Sequence, residues 1–428
     1  MNVRLLLVTA NVGSAFENPH SIQPLWIQEV LKTVDRHRPH FVAIHFQELG
    51  GKSFETTIDG VQDFAREIFE SDVGSRYDRI LGIFDESAST KETFTALGSL
   101  YLIERSLTDV YLWDFEKNRF DSAVGCRLYG GDLNGCTTHK KRKFPPDFFP
   151  QFKWSRKGYI QTRWRINGRV LDLVNVHLFH DASNLTAMEQ SPSVYTFNRK
   201  KALNHVLKCV EETQSTPLPT FYFGDFNFRL DQKNVVKLLS DGLTPSVNQN
   251  DDEKVVQMAY YRNSSSDDAV LALLEKSFVY EDSGRMLHDN GRELRQFDLE
   301  GKQFDGLHEL PLTFPPSYPY KEDLDEGSVL NTTRCPAWCD RILFNDAAQL
   351  DFMGDIQRHE YGMVGRHVCT GDHKPIYLAV NMPSNDDTDS GNEITSKRRD
   401  DGKCNYFNIF LALVAVSTLF VAVAWRRL

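Results

Sequence analysis

Phe221-Tyr-Phe-Gly-Asp-Phe-Asn-Phe-Arg229 follows Pro219 and Thr220. Its aromatic start predicts a short buried strand. Gly224 reads as the end of that strand, and Asp225 and Asn227 follow at i and i+2. In extended chain these positions point to the same side. An acid and an amide therefore leave a buried strand together, a pairing that suits a water, a hard cation or a phosphate oxygen. A β-turn with Asx chemistry explains the same residues. The stretch alone leaves both readings open, and the other strand ends must decide between them.

Outward from that stretch, residues 1–381 alternate strand-like and helix-like segments. Val3 to Thr9 and Phe41 to Phe46 read as strands. Tyr77 to Phe84 and Phe94 to Ile103 read as a strand pair, and Gly158 to Trp164 and Gly168 to Val176 as two more strands. Trp338 to Phe344 and Ile376 to Val380 are late strands. Trp26, Ile27, Val30, Leu31 and Val34 have helical spacing, Val61 to Phe69 looks helical, and Tyr195 to Cys209 forms another helix. Leu230 to Leu299 is charged and is expected to be mostly helical, and Pro311 to Pro319 is a loop. Mixed strands and helices without a strict βαβ repeat predict an α/β sandwich with mixed sheets.

The chain has 428 residues, a net charge of −10 and seven cysteines at irregular spacing. An odd number of cysteines in a long chain fits reduced thiols in the cytosol. The apolar stretch from Leu5 to Val8 is too short for a signal peptide. Residues 382–403 have a linker's composition, acidic and then basic. Within residues 404–428, Tyr406 to Trp425 is an apolar run of 20 residues, followed by Arg426 and Arg427. As a helix it would span ~30 Å, the thickness of a bilayer core. It is expected to be a transmembrane tail anchor that leaves the bulk of the chain in the cytosol.

Polar residues collect at the strand ends: Asn11, Glu48, His177, Asp225 with Asn227, and Asp372 with His373. In an α/β sandwich such ends converge on one site. Carboxylates and amides with two His and no thiolate cluster favour Mg2+ over zinc. No Ser or Cys stands in a nucleophile elbow, so metal-assisted attack by water fits better than a covalent route. Asp340 could orient a His through its second N–H or pair with Arg341, and the sequence leaves both open. Lys153, Arg156, Lys157, Arg163 and Arg165 could offer positive potential to a polyanion. Lys157 is the strongest of them, since Gly158 would let a phosphate approach. The run from His139 to Lys143 reads as a solvated loop or a nuclear-import match.

Seven motifs occur in one order: Val8-Thr-Ala-Asn-Val-Gly13, Phe46-Gln-Glu48, Arg156-Lys-Gly158, Asn175-Val-His-Leu178, Phe223-Gly-Asp-Phe-Asn-Phe-Arg229, Pro336-Ala-Trp-Cys-Asp-Arg341 and Gly371-Asp-His-Lys-Pro375. In these the chain resembles the inositol polyphosphate 5-phosphatases, and the type I enzymes among them, over about residues 1–381. The resemblance implies a DNase I-like four-layer α/β sandwich with two mixed central sheets. It implies Glu48, Asn11 and Asp372 as ligands of Mg2+, Asp225 as the group that orients or deprotonates water, and Asn227 as the group that steadies the scissile phosphate. His177 and His373 would donate to its oxygens, with Asp340 holding His373. Arg334 and Tyr318 would meet the neighbouring 4-phosphate. Where the family has Lys after that Tyr, this chain has Pro319, and Lys321 is the candidate to replace it. Where type I enzymes carry a prenylation box, this chain ends Trp425-Arg-Arg-Leu428, and the apolar run would do the anchoring.

The implied activity is Mg2+-dependent removal of the 5-phosphate from the soluble inositol 1,4,5-trisphosphate and 1,3,4,5-tetrakisphosphate. The alternatives are a phosphoinositide lipid 5-phosphatase and, further off, an endonuclease of the same fold. The acidic total and the Trp-Cys-Asp-Arg block argue against a nucleic-acid partner.

Overall fold

The computed structural model describes residues 2–87, 92–133, 135–149, 155–263, 268–354 and 358–382. Two large sheets dominate it. The first runs in the order Glu360–Met363, Ile376–Met382, Val3–Asn11, Phe41–Gln47, Gly98–Glu104, Tyr77–Phe84, Cys126–Tyr129. The second runs Leu307–His308, Asp340–Asn345, Thr220–Asp225, Arg169–His177, Gly158–Ile166, Val110–Asp114, Arg119–Ser122, with Lys140–Lys143 also paired to Gly158–Ile166. Both sheets are mixed. Val3–Asn11 is parallel to Phe41–Gln47 and antiparallel to Ile376–Met382. Thr220–Asp225 is parallel to Arg169–His177 and antiparallel to Asp340–Asn345.

The pleat explains why the central strands read as unbroken apolar runs: both of their faces are covered. Val3, Leu5 and Leu7 face the second sheet, where they share one core with Leu171, Leu173, Phe221 and Phe223. Leu6, Val8 and Ala10 point the other way, onto Trp26, Val30 and Val34 of helix Ile22–His37 and Phe64 and Ile68 of helix Val61–Phe69. On the far face of the second sheet, Val174, Val176 and Tyr222 pack on Ala202, Leu203 and Val206 of helix Val194–Glu211. Ser193 caps that helix by accepting from the Thr196 N–H. The result is four layers, helix on sheet on sheet on helix, in the DNase I-like α/β arrangement.

Four expectations change here. Residues 230–299 are not mostly helical. After helix Gln232–Leu239, strands Thr244–Gln249, Val255–Tyr261, Leu271–Leu274 and Ser277–Tyr280 form a third, antiparallel sheet. The valines and tyrosines of these strands outweigh the charge around them. Second, the run from His139 to Lys143 is not a solvated loop. It forms strand Lys140–Lys143, His139 is buried, and Lys141 Nζ lies 2.9 Å from the buried Asp85 Oδ1. Third, Gly224 does not end its strand, which continues through Asp225. A Cβ there would fall 1.8 Å from the Val176 carbonyl oxygen, so the close approach of the neighbouring strand requires glycine. Gly158 has a similar reason, since its Cβ would fall 2.3 Å from the Arg142 oxygen. It serves strand packing, not the approach of a phosphate.

Fourth, Met382 is not linker. It pairs with Val3 inside the first sheet and is fully buried, and Met1–Met382 forms one compact unit. The expected linker beyond it and the expected anchor at residues 404–428 lie outside the described residues. Among the described residues no helix is long and apolar enough to cross a membrane.

Candidate active site

Strand register assembles the site. On the second sheet Gly158 pairs with His177, His177 with Asp225, and Asp225 with Asp340. Lys157, His177, Asp225 and Asp340 therefore stand in a row along one edge. On the first sheet Asn11 pairs with Gln47, which puts Asn11 and Glu48 side by side at the matching edge. The two sheets join directly behind them. Gln47 Nε2 donates to Asn175 Oδ1 at 2.8 Å, and Asn175 Nδ2 donates to the Phe46 and Gly98 carbonyls at 3.1 and 2.7 Å.

Asp225 is the centre. Its Oδ1 accepts from the Asn227 backbone N–H at 2.8 Å, and its Oδ2 accepts from Asn11 Nδ2 at 3.2 Å. His177 Nε2 lies 3.3 Å from the same Oδ2. Burial would push this carboxyl up, but His373, His177 and Lys157 together hold it well below the usual carboxylate range. The bond to Asn227 is an Asx turn, the second of the two readings of the opening stretch. Asn227 is not extended, however. Its φ is 52°, and Glu48 has φ 57°. Two non-glycine residues in the left-handed region, both just past the ends of strands at this edge, fit a functional site.

The Asn227 amide is largely committed. Nδ2 donates to the Leu178 carbonyl at 3.0 Å, and Oδ1 accepts from Arg229 Nη2 at 2.6 Å. One N–H remains for a ligand. His373 Nδ1 lies 2.9 Å from Asp340 Oδ2. Burial works against the charged imidazole, but Asp340 and Asp225 raise its pKa well above the ordinary value. Arg341 pairs instead with Asp298 and Glu309, so Asp340 orients His373 and does not bridge to Arg341. His177 goes the other way: burial and then Lys157 lower its pKa. Lys157 Nζ contacts His177 Nε2 and lies 3.5 Å from Glu48 Oε1. Burial would raise Glu48, but Lys157, His177 and Arg156 bring it down to about 2.

Two donor sets could hold an ion. Asp225, Asp340 and His373 bring their ligand atoms within 4.8 Å of one another. In that set Asp340 Oδ2 and His373 Nδ1 are already hydrogen-bonded to each other, so neither atom is free for an ion. Glu48 and Asn11 offer the better cradle. A Cβ on Gly13 would fall 3.0 Å from Glu48 Oε2 and 3.3 Å from Asn11 Oδ1, so two oxygens border one space that a side chain there would crowd, although Asn11 Oδ1 also accepts from the Gly13 N–H at 3.1 Å. The structure does not bring Asp372 into this pair: Ser14 Oγ donates to its Oδ1 at 2.9 Å.

The Tyr318 ring packs on His373, with centroids 4.5 Å apart, and Arg229 lies 4.6 Å over the same ring. Arg334 belongs to this corner and interacts electrostatically with Tyr318 and Arg229, while its guanidinium reaches the Asp181, Ala182 and Thr333 carbonyls. Lys321 pairs with Glu326, and among the described residues no contact ties it to the cluster. The wider basic set dissolves as well. Arg163 pairs with buried Asp172, Arg165 stacks on Tyr111 and Lys153 lies outside the described residues, which leaves Arg156 and Lys157 at the site. Sequence reasoning gave Arg229 no role. It is 8% exposed, and its Nε and Nη1 are buried without a hydrogen-bond partner. Its signal was its place two residues after Asn227.

The model of Endonuclease/Exonuclease/phosphatase family 2 matches residues 246–379. Inositol polyphosphate-5-phosphatase A of Homo sapiens is 44% identical over 383 residues, which cover 88% of this chain and 93% of that protein. A probable type I inositol 1,4,5-trisphosphate 5-phosphatase of Caenorhabditis elegans is 36% identical over 416 residues, covering 89% of this chain and 100% of that protein. Among solved structures, the inositol polyphosphate 5-phosphatase domain of spSynaptojanin, in complex with inositol (1,4)-bisphosphate and calcium ion, aligns with a TM-score of 0.49 at 13% identity, covering 91% of this chain and 88% of that one.

Proposed function

The chain belongs to the inositol polyphosphate 5-phosphatase family, and from that premise we propose how its own residues carry the reaction. The protein is a phosphomonoesterase that removes the 5-phosphate of inositol 1,4,5-trisphosphate and inositol 1,3,4,5-tetrakisphosphate, which ends calcium-release signals. The observation that supports the mechanism most is the geometry at one sheet edge: buried Asp225 lies 3.3 Å from His177 Nε2 and pairs in register with Asp340, whose Oδ2 lies 2.9 Å from His373 Nδ1.

Water is the nucleophile. As its oxygen bonds to phosphorus, Asp225 accepts its proton. The bond from phosphorus to the inositol 5-oxygen breaks, that oxygen leaves with the electron pair and takes a proton from solvent, and Asp225 returns the proton it accepted to solvent. His373, fixed by Asp340, donates a hydrogen bond to the phosphoryl oxygens as their charge grows. Asn227 offers them its one free N–H. His177 stays neutral, so the positive charge on its side of the phosphate is the Lys157 ammonium. Glu48 and Asn11 would hold Mg2+, whose fit rests on the two oxygens that border one space at Gly13. When bound, the ion supplies Lewis-acid charge to the leaving inositol oxygen. Tyr318, Arg334 and the unpaired nitrogens of Arg229 receive the neighbouring ring phosphate, and Lys321 does not enter that set.

We take the apolar run Tyr406 to Trp425 as a membrane anchor with the catalytic part in the cytosol. That run also favours a second reading, a lipid 5-phosphatase acting on phosphatidylinositol 4,5-bisphosphate. One experiment separates them. The full chain in Mg2+ is given soluble inositol 1,4,5-trisphosphate or vesicles carrying the lipid, at equal headgroup concentration. Faster phosphate release from the soluble substrate is expected, and faster release from the vesicles would reverse the assignment. In the same samples the full chain should float with the vesicles and a chain ending at Met382 should not. Equal behaviour of the two would remove the anchor.

A further inference from the structure

Ser317 is fully buried in the loop Phe314-Pro-Pro-Ser-Tyr318, and nothing in its sequence marks it for chemistry. A hydroxyl has one proton to give and two lone pairs to fill. Here both lone pairs are taken by backbone donors: the Cys339 and Asp340 N–H groups each donate to Ser317 Oγ at 3.1 Å. The hydroxyl proton then has one remaining partner, Asp340 Oδ2 at 2.7 Å. That oxygen is also the one that accepts from His373 Nδ1. The other oxygen, Oδ1, is buried with no partner.

We propose that Ser317 is a positioning residue for the Asp340–His373 pair. It fixes the turn of the Asp340 carboxylate about its Cβ–Cγ bond, and so where the oxygen that meets the imidazole stands and where His373 presents its other N–H. Without the hydroxyl, His373 itself is the one hydrogen-bond partner left to the carboxylate among the described residues, and the torsion is no longer set from outside the pair. The same residue also joins the two segments that carry the pair. Its Oγ binds the backbone at Cys339 and Asp340, and its carbonyl accepts from the Lys374 N–H at 2.8 Å, one residue past His373. The loop is firmly placed. Tyr318 and Ala337 exchange backbone hydrogen bonds at 3.2 and 2.9 Å, Trp338 Nε1 donates to the Phe314 carbonyl at 3.0 Å, and the Tyr320 hydroxyl donates to the Pro316 carbonyl at 2.8 Å. The next residue, Tyr318, supports the ring face of His373. One loop thus fixes His373 by its edge through Ser317 and Asp340 and by its face through Tyr318.

This inference rests on the reading of His373 as the donor to the phosphoryl oxygens. The test uses the full chain with inositol 1,4,5-trisphosphate in Mg2+. Ser317→Ala removes the hydroxyl, and Ser317→Cys keeps the volume but offers a much weaker donor. Each is expected to lower kcat about tenfold or more, the scale of a hydrogen bond to a charged group, with KM within twofold of wild type. In an Asp340→Ala background, which leaves no acceptor between the hydroxyl and the imidazole, Ser317→Ala should cost less than a further twofold. A serine that only staples the loop would instead multiply its loss onto that of Asp340→Ala. A kcat within twofold of wild type in both single variants, a matching rise in KM, or multiplied losses in the double variant would each overturn the proposal. A wild-type chain that releases no phosphate would overturn the functional reading itself.

Discussion

Asp225→Asn should lower kcat about ten-thousand-fold, the upper end of what a positioned general base contributes, while the chain stays folded. The substitution keeps the shape of the side chain and its acceptor for the Asn227 N–H. It removes two other things. The first is the proton acceptor for water. The second is the negative charge that, with Asp340, keeps His373 protonated. Both losses act on the same step, so they appear in kcat and not in substrate binding. Stability at neutral pH should fall, because a carboxyl held below its ordinary range in the folded chain contributes stability when ionised, and its loss leaves His373, His177 and Lys157 with less negative charge beside them. Turnover within tenfold of wild type, in a variant with an unchanged circular dichroism spectrum, would take Asp225 out of the mechanism.

His373→Ala is the second large effect, with kcat expected to fall about a thousandfold, as for a lost donor to developing charge. This variant needs a partner to be interpretable. Removing the imidazole leaves Asp340 buried with an unpaired charge, a situation that costs about 3–5 kcal/mol. Lower activity alone could then mean a poorly folded chain. Adding Asp340→Asn to His373→Ala removes the stranded charge, so the double variant should regain most of the lost stability and none of the activity. Urea midpoints and phosphate release on the same preparations check both halves. Activity that returns with stability would show that His373 holds the fold and does not serve the chemistry.

How much of this was legible in the chain follows from the range of each interaction. The central strands were readable because both of their faces are covered, which leaves unbroken runs such as Leu5 to Val8. The site residues were readable as polar groups at strand ends, and register then did the rest by lining up His177, Asp225 and Asp340. The choice between Asp340 with a His and Asp340 with Arg341 was open because the sequence does not show that Glu309 and Asp298 take the arginine. The run from His139 to Lys143 looked solvated because its acid, Asp85, comes from a distant part of the chain. The glycines misled for a similar reason: at Gly158 and Gly224 the crowding atom belongs to the strand alongside. Ser317 carried no signal of role, and the signal of Arg229 was only its place at the end of a motif, two residues after Asn227. Each acts through a partner that only the folded chain brings near.

The most direct test of the central claim is the identity of the product. The full chain is incubated with inositol 1,4,5-trisphosphate in Mg2+, and the inositol bisphosphate formed is assigned by phosphorus NMR. The account predicts inositol 1,4-bisphosphate with one equivalent of inorganic phosphate. Formation of inositol 4,5-bisphosphate or inositol 1,5-bisphosphate, or no phosphate at all, would contradict it.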